Sequence, residues 1–155
     1  MSKQLIIFKL DNEDFGIEIT QIKEIIKPPE IFKVPDTPYF VEGLINLRGK
    51  VHTVFNLRKK FHLTEKVIDD MTKIIIANVN NLTVGFVVDE VNEIIKFNDD
   101  DIEGTPKSLT KISKNYIDGV AKKGEKIVLK LNLVNILTET EYKEIEIFLE
   151  NTNAE

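Results

Sequence analysis

Alternation of apolar and polar positions, more than helical spacing, sets the pattern of this chain. Residues 4–10, Gln-Leu-Ile-Ile-Phe-Lys-Leu, read as a strand rich in β-branched and aromatic side chains. Asp11-Asn12-Glu13-Asp14 is a polar cluster of hairpin length, and Phe15-Gly16-Ile17-Glu18-Ile19 resumes the alternation. Thr20 is placed to cap one helical turn over 21–24. Four of the five prolines fall between 28 and 38, which predicts a rigid extended connection, with a short helix beginning at Thr37-Pro38. Strands are expected over 44–47 and 50–55, then a turn of helix over 56–61. The charged stretch 64–70 is the best boundary. Strands follow over 72–79 and 82–88 around an Asn80-Asn81 turn, and a further one over 89–97. The acidic run 98–101 lacks the ligand spacing and closing glutamate of a calcium loop, so it reads as a solvated loop. After a polar connection at 105–115, residues 116–120 and 126–131 form a hairpin around Lys122-Lys123-Gly124. A short helix is expected over 132–138 and a C-terminal helix over 138–150, where Ile145, Phe148 and Leu149 recur at helical spacing.

The two halves echo each other. Phe15-Gly16-Ile17 is followed at Glu24 by Glu-Ile-Ile, and Val84-Gly85-Phe86 is followed at Glu93 by the same triplet, at the same distance from its glycine. Phe40-Val41-Glu42-Gly43-Leu44 is matched by Tyr116-Ile117-Asp118-Gly119-Val120. Each is followed by a second glycine, Gly49 or Gly124, and a β run ending in Asn56-Leu57 or Asn132-Leu133. Duplication implies an all-β fold of two small barrels with about five strands each, because closing a sheet removes exposed edges. Each half is marginal alone and gains a sufficient core by packing on its twin. The division expected is 14–66 for the first barrel, 4–13 with 67–137 for the second, and 138–150 for the C-terminal helix.

The repeat also isolates what the first half alone carries. All but two of the 21 basic residues are lysine, and both arginines, Arg48 and Arg58, lie near the second glycine. Setting Gly49 against Gly124 leaves Arg48 with no arginine counterpart, so barrel architecture does not require it. A guanidinium is a planar, permanently charged fork suited to interfacial pairing. Arg48 is therefore the functional candidate, and Arg58 and His52 read as structural.

Charge and composition narrow the function. A net charge of -5 argues against a nucleic-acid backbone binder. No apolar run approaches the roughly 18 residues of a membrane span, and no cleavable leader pattern opens the chain. Absence of cysteine removes disulfides and thiolate chemistry and fits a cytoplasmic setting. An enzyme is the second reading: its three serines lie away from either histidine, and no glycine-rich phosphate loop is present. Glu24 and Glu93, inside apolar strands, suggest local ion pairing rather than catalysis. What remains is an interaction module with no cofactor.

Three segments in order resemble the bacterial chemotaxis coupling protein (CheW) family. They are Phe15-Gly16-Ile17-Glu18-Ile19 with Ile22 and Glu24-Ile25; Pro35, Pro38, Val41 and Gly43 with Ile45-Asn46-Leu47-Arg48-Gly49-Lys50-Val51; and Val84-Gly85-Phe86-Val87-Val88-Asp89-Glu90-Val91. Thr53 and Asn56 stand where the family commonly has proline and aspartate. The resemblance implies two tandem SH3-like five-stranded barrels and a non-enzymatic adaptor, cytoplasmic at membrane-associated receptor arrays. Its expected partners are a chemoreceptor's cytoplasmic helical tip and the regulatory domain of the histidine kinase CheA, with no nucleic acid and no direct membrane insertion. Carried over by position, it implies receptor contacts at Ile22, Glu24, Gly43 and Arg48. It further implies kinase contacts at Ile74 and Gly85, on a surface expected mainly on the second barrel. Neither an ATP-binding kinase part nor a phospho-accepting receiver fits into 155 residues, so a stand-alone coupler is expected.

Overall fold

The computed structural model describes residues 2–104, 116–136 and 143, and its strands fall into two curled sheets. In chain order the elements are β1 (Ser2–Leu10), β2 (Glu13–Glu18), β3 (Ile22–Ile26), β4 (Val41–Leu47), β5 (Lys50–Asn56), α1 (Leu57–Lys60), β6 (Lys73–Val79), β7 (Leu82–Val88), β8 (Glu90–Asn98), β9 (Ile102–Glu103), β10 (Ile117–Lys123) and β11 (Lys126–Leu131). One sheet, the first barrel, runs β3-β6-β7-β5-β4, and the other, the second barrel, runs β8-β1-β2-β11-β10-β9. The chain beyond β3 returns to the far edge of the first sheet, where Phe32 and Leu44 exchange backbone hydrogen bonds of 2.8 Å in each direction. In the second sheet the two end strands, β8 and β9, are joined by one 3-10 turn, Asp99–Asp101. Both sheets thus curl back toward closure, which limits their unpaired edges.

The duplication is present down to its irregularities. Gly16 answers to Gly85 and Glu24 to Glu93, each 69 residues on; Gly43 answers to Gly119 and Asn56 to Asn132, each 76 residues on. The β3–β6 register skips Lys23, and the β1–β8 register skips the equivalent Asn92. The β4–β5 pairing skips Glu42 and the β10–β11 pairing skips Asp118. Each barrel also holds one parallel pair, β5 with β7 and β11 with β2. The Asp11-Asn12 and Asn80-Asn81 turns match as well, all four residues having positive φ, as a two-residue hairpin of primed type demands.

The sheets divide the chain differently from the expected boundaries. β6 and β7 pair with β3–β5 in the first barrel, and β2 pairs with β1 in the second. Each barrel therefore combines the opening hairpin of one repeat with the remaining strands of the other. Local corrections follow the same logic of pairing. The helical turn expected over 21–24 forms earlier, at Ile19–Gln21, because Ile22–Ile26 is claimed by β6. The helix expected at 37–40 is a turn in which Val41 N–H donates to the Pro38 carbonyl at 2.9 Å. The helix expected from 132 is one 3-10 turn, Leu133–Asn135, capped by Asn132, whose side chain accepts from Val134 N–H at 3.1 Å. Except for Lys143, the helix expected over 138–150 lies outside the described residues, as does the connection 105–115.

The largest core lies between the barrels. Phe8, Phe15 and Ile17 from one side meet Phe55, Ile75 and Phe86 from the other, with Leu57, Leu131 and Leu133 completing it. The barrels keep smaller interiors of their own: Leu5, Ile7, Phe97, Ala121 and Val128 in the second, and Ile45, Val54, Ile74 and Ile76 in the first. The shared core makes the two barrels one cooperative body.

Candidate functional site

The β4–β5 hairpin places Arg48 at the mouth of the first barrel. Arg48 has φ 52° and Gly49 φ 86°, so the turn's first position carries a bulky residue in the left-handed region. The 76-residue register sets Gly124, with φ 62°, opposite Arg48 and not opposite Gly49, which corrects the alignment drawn from the glycines alone. The twin meets the demand of the turn with glycine, whereas the first barrel holds an arginine against it. Asn46 steadies the bend by accepting the Gly49 N–H at 2.9 Å. The Arg48 guanidinium donates to the Glu24 carboxylate, bridging the hairpin to β3. Its side chain stays 69% exposed and remains open to a partner.

Around this pair lies a cleft of about 390 Å³ lined by Lys23, Glu24, Leu47, Arg48, Lys50, His52, Ile76 and Thr83. His52, two residues before the buried Val54 on β5, lines it. Burial, then the charges of Lys23 and Lys50, lower the His52 pKa below its ordinary value; a backbone hydrogen bond at Thr83 opposes them, and Arg48 adds to them. His52 thus lines the mouth. The cleft offers no assembled nucleophile and base: the Thr83 hydroxyl donates to Asn78 at 3.0 Å and accepts from Lys23 at 3.4 Å, while Glu24 is engaged by Arg48. Among the described residues no group of three His, Asp or Glu side chains is placed to hold a metal.

Of the four residues expected to contact a receptor, Glu24 and Arg48 come together at this mouth. Ile22, on the same strand, is half-buried against the inter-barrel core. Gly43 is buried, with φ 151°, and a Cβ there would collide with the Phe32 carbonyl and lie 2.9 Å from Ile31 Cγ2. It permits the Phe32–Leu44 closure and offers no side chain. Ile74 and Gly85 fall elsewhere. Ile74 is 0% exposed inside the first barrel, and a Cβ on Gly85 would sit 2.8 Å from Ile74 Cγ2. Neither is on the second barrel and neither presents a side chain, so both act through packing and not as contacts. Residue identity alone could not show this, because a β run reports alternation without saying which face is covered.

Glu93, the twin of Glu24, pairs with Lys126 at 2.6 Å. Both glutamates therefore hold local ion pairs, as their apolar surroundings suggested. Arg58 is structural: its guanidinium binds Asp89 through two hydrogen bonds and donates to the Thr64 carbonyl at 2.6 Å. Among the described residues no helix is long and apolar enough to cross a membrane.

This double-barrel geometry is shared with a solved protein, and the sequence is similar to curated ones. The crystal structure of the scaffolding protein TtCheW from Thermoanaerobacter tengcongensis superposes with a TM-score of 0.84 at 33% identity, over 91% of this chain and 96% of that one. The chemotaxis protein CheW of Bacillus subtilis is 33% identical over 86% of this chain and 83% of its own length. That of Treponema pallidum is 30% identical, over 92% and 86%. The family model described as the CheW-like domain matches residues 4–141, and with these likenesses it places the chain in the CheW-like domain family.

Proposed function

We propose that the chain is a non-enzymatic chemotaxis adaptor that joins the cytoplasmic helical tip of a chemoreceptor to the regulatory domain of the histidine kinase CheA. It acts in the cytoplasm, at membrane-associated receptor arrays. The observation that carries this reading is Arg48, held in a left-handed turn that its twin fills with Gly124, and exposed beside Glu24 at a barrel mouth. Backbone strain of this kind persists where a site needs the side chain. Arg48 and Glu24 form the receptor-facing pair, with Ile22 as apolar support and Gly43 as the glycine that lets the barrel close behind them. The kinase-facing surface is assigned to the second barrel. There Ile94 and Ile127 are 53% and 56% exposed, one residue on from Glu93 and Lys126 in β8 and β11. Ile74 and Gly85 support such docking only by keeping the first barrel packed. Coupling then works by geometry: one face takes a receptor helix, another fixes the kinase domain, and signal passes as a shift between kinase arrangements.

The test is reconstitution with a receptor cytoplasmic fragment and the CheA regulatory domain. The wild-type chain is expected to bring the two into one complex, while Arg48→Ala stays folded and retains the kinase domain but loses receptor fragment. Unchanged ternary assembly by the variant would remove Arg48 from the interface. Failure of the wild type to bind either partner would overturn the adaptor reading itself.

A further inference from the structure

The two barrel mouths share a backbone but not a charge pattern. Position by position, Lys23, Glu24, Leu47, Arg48, Lys50, His52, Ile76 and Thr83 answer to Asn92, Glu93, Lys123, Gly124, Lys126, Val128, Ile7 and Asp14. The first mouth holds three permanent cations against one carboxylate, together with His52. The second balances two lysines with two carboxylates, and both lysines are engaged: Lys126 pairs with Glu93 at 2.6 Å and Lys123 donates to the Lys96 carbonyl at 2.8 Å. Since both barrels fold, the excess positive charge of the first mouth is not required by the architecture. It also runs against the chain's net charge of -5.

Among the described residues no further carboxylate pairs with it. Glu24 is taken by Arg48, Lys23 reaches only the Thr83 hydroxyl, and Lys50 forms no ion pair among the described residues. Burial first, and then the charges of Lys23, Lys50 and Arg48, lower the pKa of His52 at the same mouth. From this charge asymmetry we infer that Lys23, Lys50 and His52 form, with the Arg48–Glu24 pair, a recognition site for carboxylates on an acidic helical segment of the docking partner. The inference rests on the adaptor reading and specifies the chemistry of its receptor-facing side. A partner carboxylate would meet the two lysines at the rim, while an adjacent apolar side chain of the helix would lie over Leu47. A free small anion suits the site less well. The rim lysines, Lys23 and Lys50, are both exposed, so a small ligand would have to immobilise two long side chains with little else gained.

Binding of the receptor cytoplasmic fragment is to be measured for the wild type and for Lys23→Gln/Lys50→Gln, across a range of salt, with CheA regulatory-domain binding followed in parallel. Both lysines lie at the surface, and a thermal melt checks that the variant is folded. The expected result is roughly tenfold weaker receptor binding at low salt, a flatter salt dependence, unchanged kinase-domain binding, and recovery in Lys23→Arg/Lys50→Arg. Receptor binding that is equal in wild type and variant at every salt overturns the inference and leaves the adaptor reading standing. Wild-type chain that binds the kinase domain but no receptor fragment overturns both. Citrate or inorganic phosphate binding saturably at the lysines, without effect on receptor binding, assigns the mouth to a small anion and also overturns it.

Discussion

Arg58 grips Asp89 through both arms of its guanidinium, Nε to Oδ1 at 2.8 Å and Nη2 to Oδ2 at 2.6 Å. Asp89 lies in the crossover from β7 in the first barrel to β8 in the second, and it also accepts the Asp11 N–H at 2.9 Å from the β1–β2 turn. One partly buried carboxylate thus ties α1, the crossover and a turn of the opposite barrel together. Burial alone would raise its pKa, but the Arg58 hydrogen bonds, the Asp11 N–H and the nearby cationic charge outweigh burial and hold it below the ordinary carboxylate value.

A depressed folded-state pKa gives the sign of the pH effect. The stabilisation is fully present above the unfolded-chain value of about 3.9 and is lost as pH falls through the lower folded value. Thermal stability is expected to drop on acidification below about pH 4, with a shallower drop in Asp89→Asn. Arg58→Met is expected to cost about 2–3 kcal/mol at neutral pH, since it strands a carboxylate that is mostly covered. Melting curves from pH 2.5 to 7 on the three proteins check this, and parallel curves for wild type and Asp89→Asn would contradict it.

Arg48→Gly separates stability from function. Glycine accepts φ 52° without penalty, as Gly124 does in the twin turn, so the gain of roughly 1 kcal/mol offsets an exposed ion pair worth at most about that much. Unfolding free energy is expected within about 1 kcal/mol of wild type, while receptor-fragment binding is weakened. Arg48→Glu is expected to bind still more weakly because it faces Glu24. Chemical denaturation and a receptor pull-down on the same samples decide the matter; a large loss of stability in Arg48→Gly would make Arg48 an architectural residue.

Gly85 and Ile74 test whether an expected contact pair is a packing pair. A Cβ at Gly85 would approach Ile74 Cγ2 to 2.8 Å, so Gly85→Ala is expected to cost about 1–3 kcal/mol through overpacking. Ile74→Ala alone costs about 2–5 kcal/mol as a cavity. The double variant is expected to cost less than the two added, because each change relieves the other. Strict additivity in denaturation would refute the shared-packing account.

Much of this fold was legible in the residues. The repeated Glu-Ile-Ile and the paired glycines marked the duplication, and the Asp11-Asn12 and Asn80-Asn81 turns marked its hairpins. Barrel membership was not legible, because alternation in β6 or β2 reports a buried face without naming the sheet that buries it. The turn glycines misled for a related reason: Gly49 and Gly124 are alike in type, yet the register pairs Gly124 with Arg48, and the sign of φ at an arginine is invisible in sequence. Arg48 itself stood out early as an unmatched guanidinium. Glu24 was singled out too, but that the two form one pair, with lysines around it, emerged only when the hairpin folded over β3. Long-range charge pairs, 24 residues apart for Arg48 and 31 for Arg58, carry no local signature.

Thr53 illustrates how a departure from the family pattern can be read as energy. Its side chain is 1% exposed in β5, and its hydroxyl has no hydrogen-bond partner among the described residues. The neighbouring departure, Asn56, is by contrast well employed: its amide donates to Glu42 at 3.1 Å and its carbonyl oxygen accepts from Lys59 N–H at 3.1 Å, capping α1. An aspartate at 56 would face Glu42 with like charge, so the asparagine suits its surroundings. No such compensation exists for Thr53, and a buried hydroxyl without a partner costs about 1–3 kcal/mol in desolvation. Thr53→Val keeps the shape and removes the hydroxyl. It is expected to stabilise the protein by about 1 kcal/mol, raising the denaturation midpoint at an unchanged slope with receptor and kinase binding intact. A lowered midpoint would show that the hydroxyl is satisfied in solution.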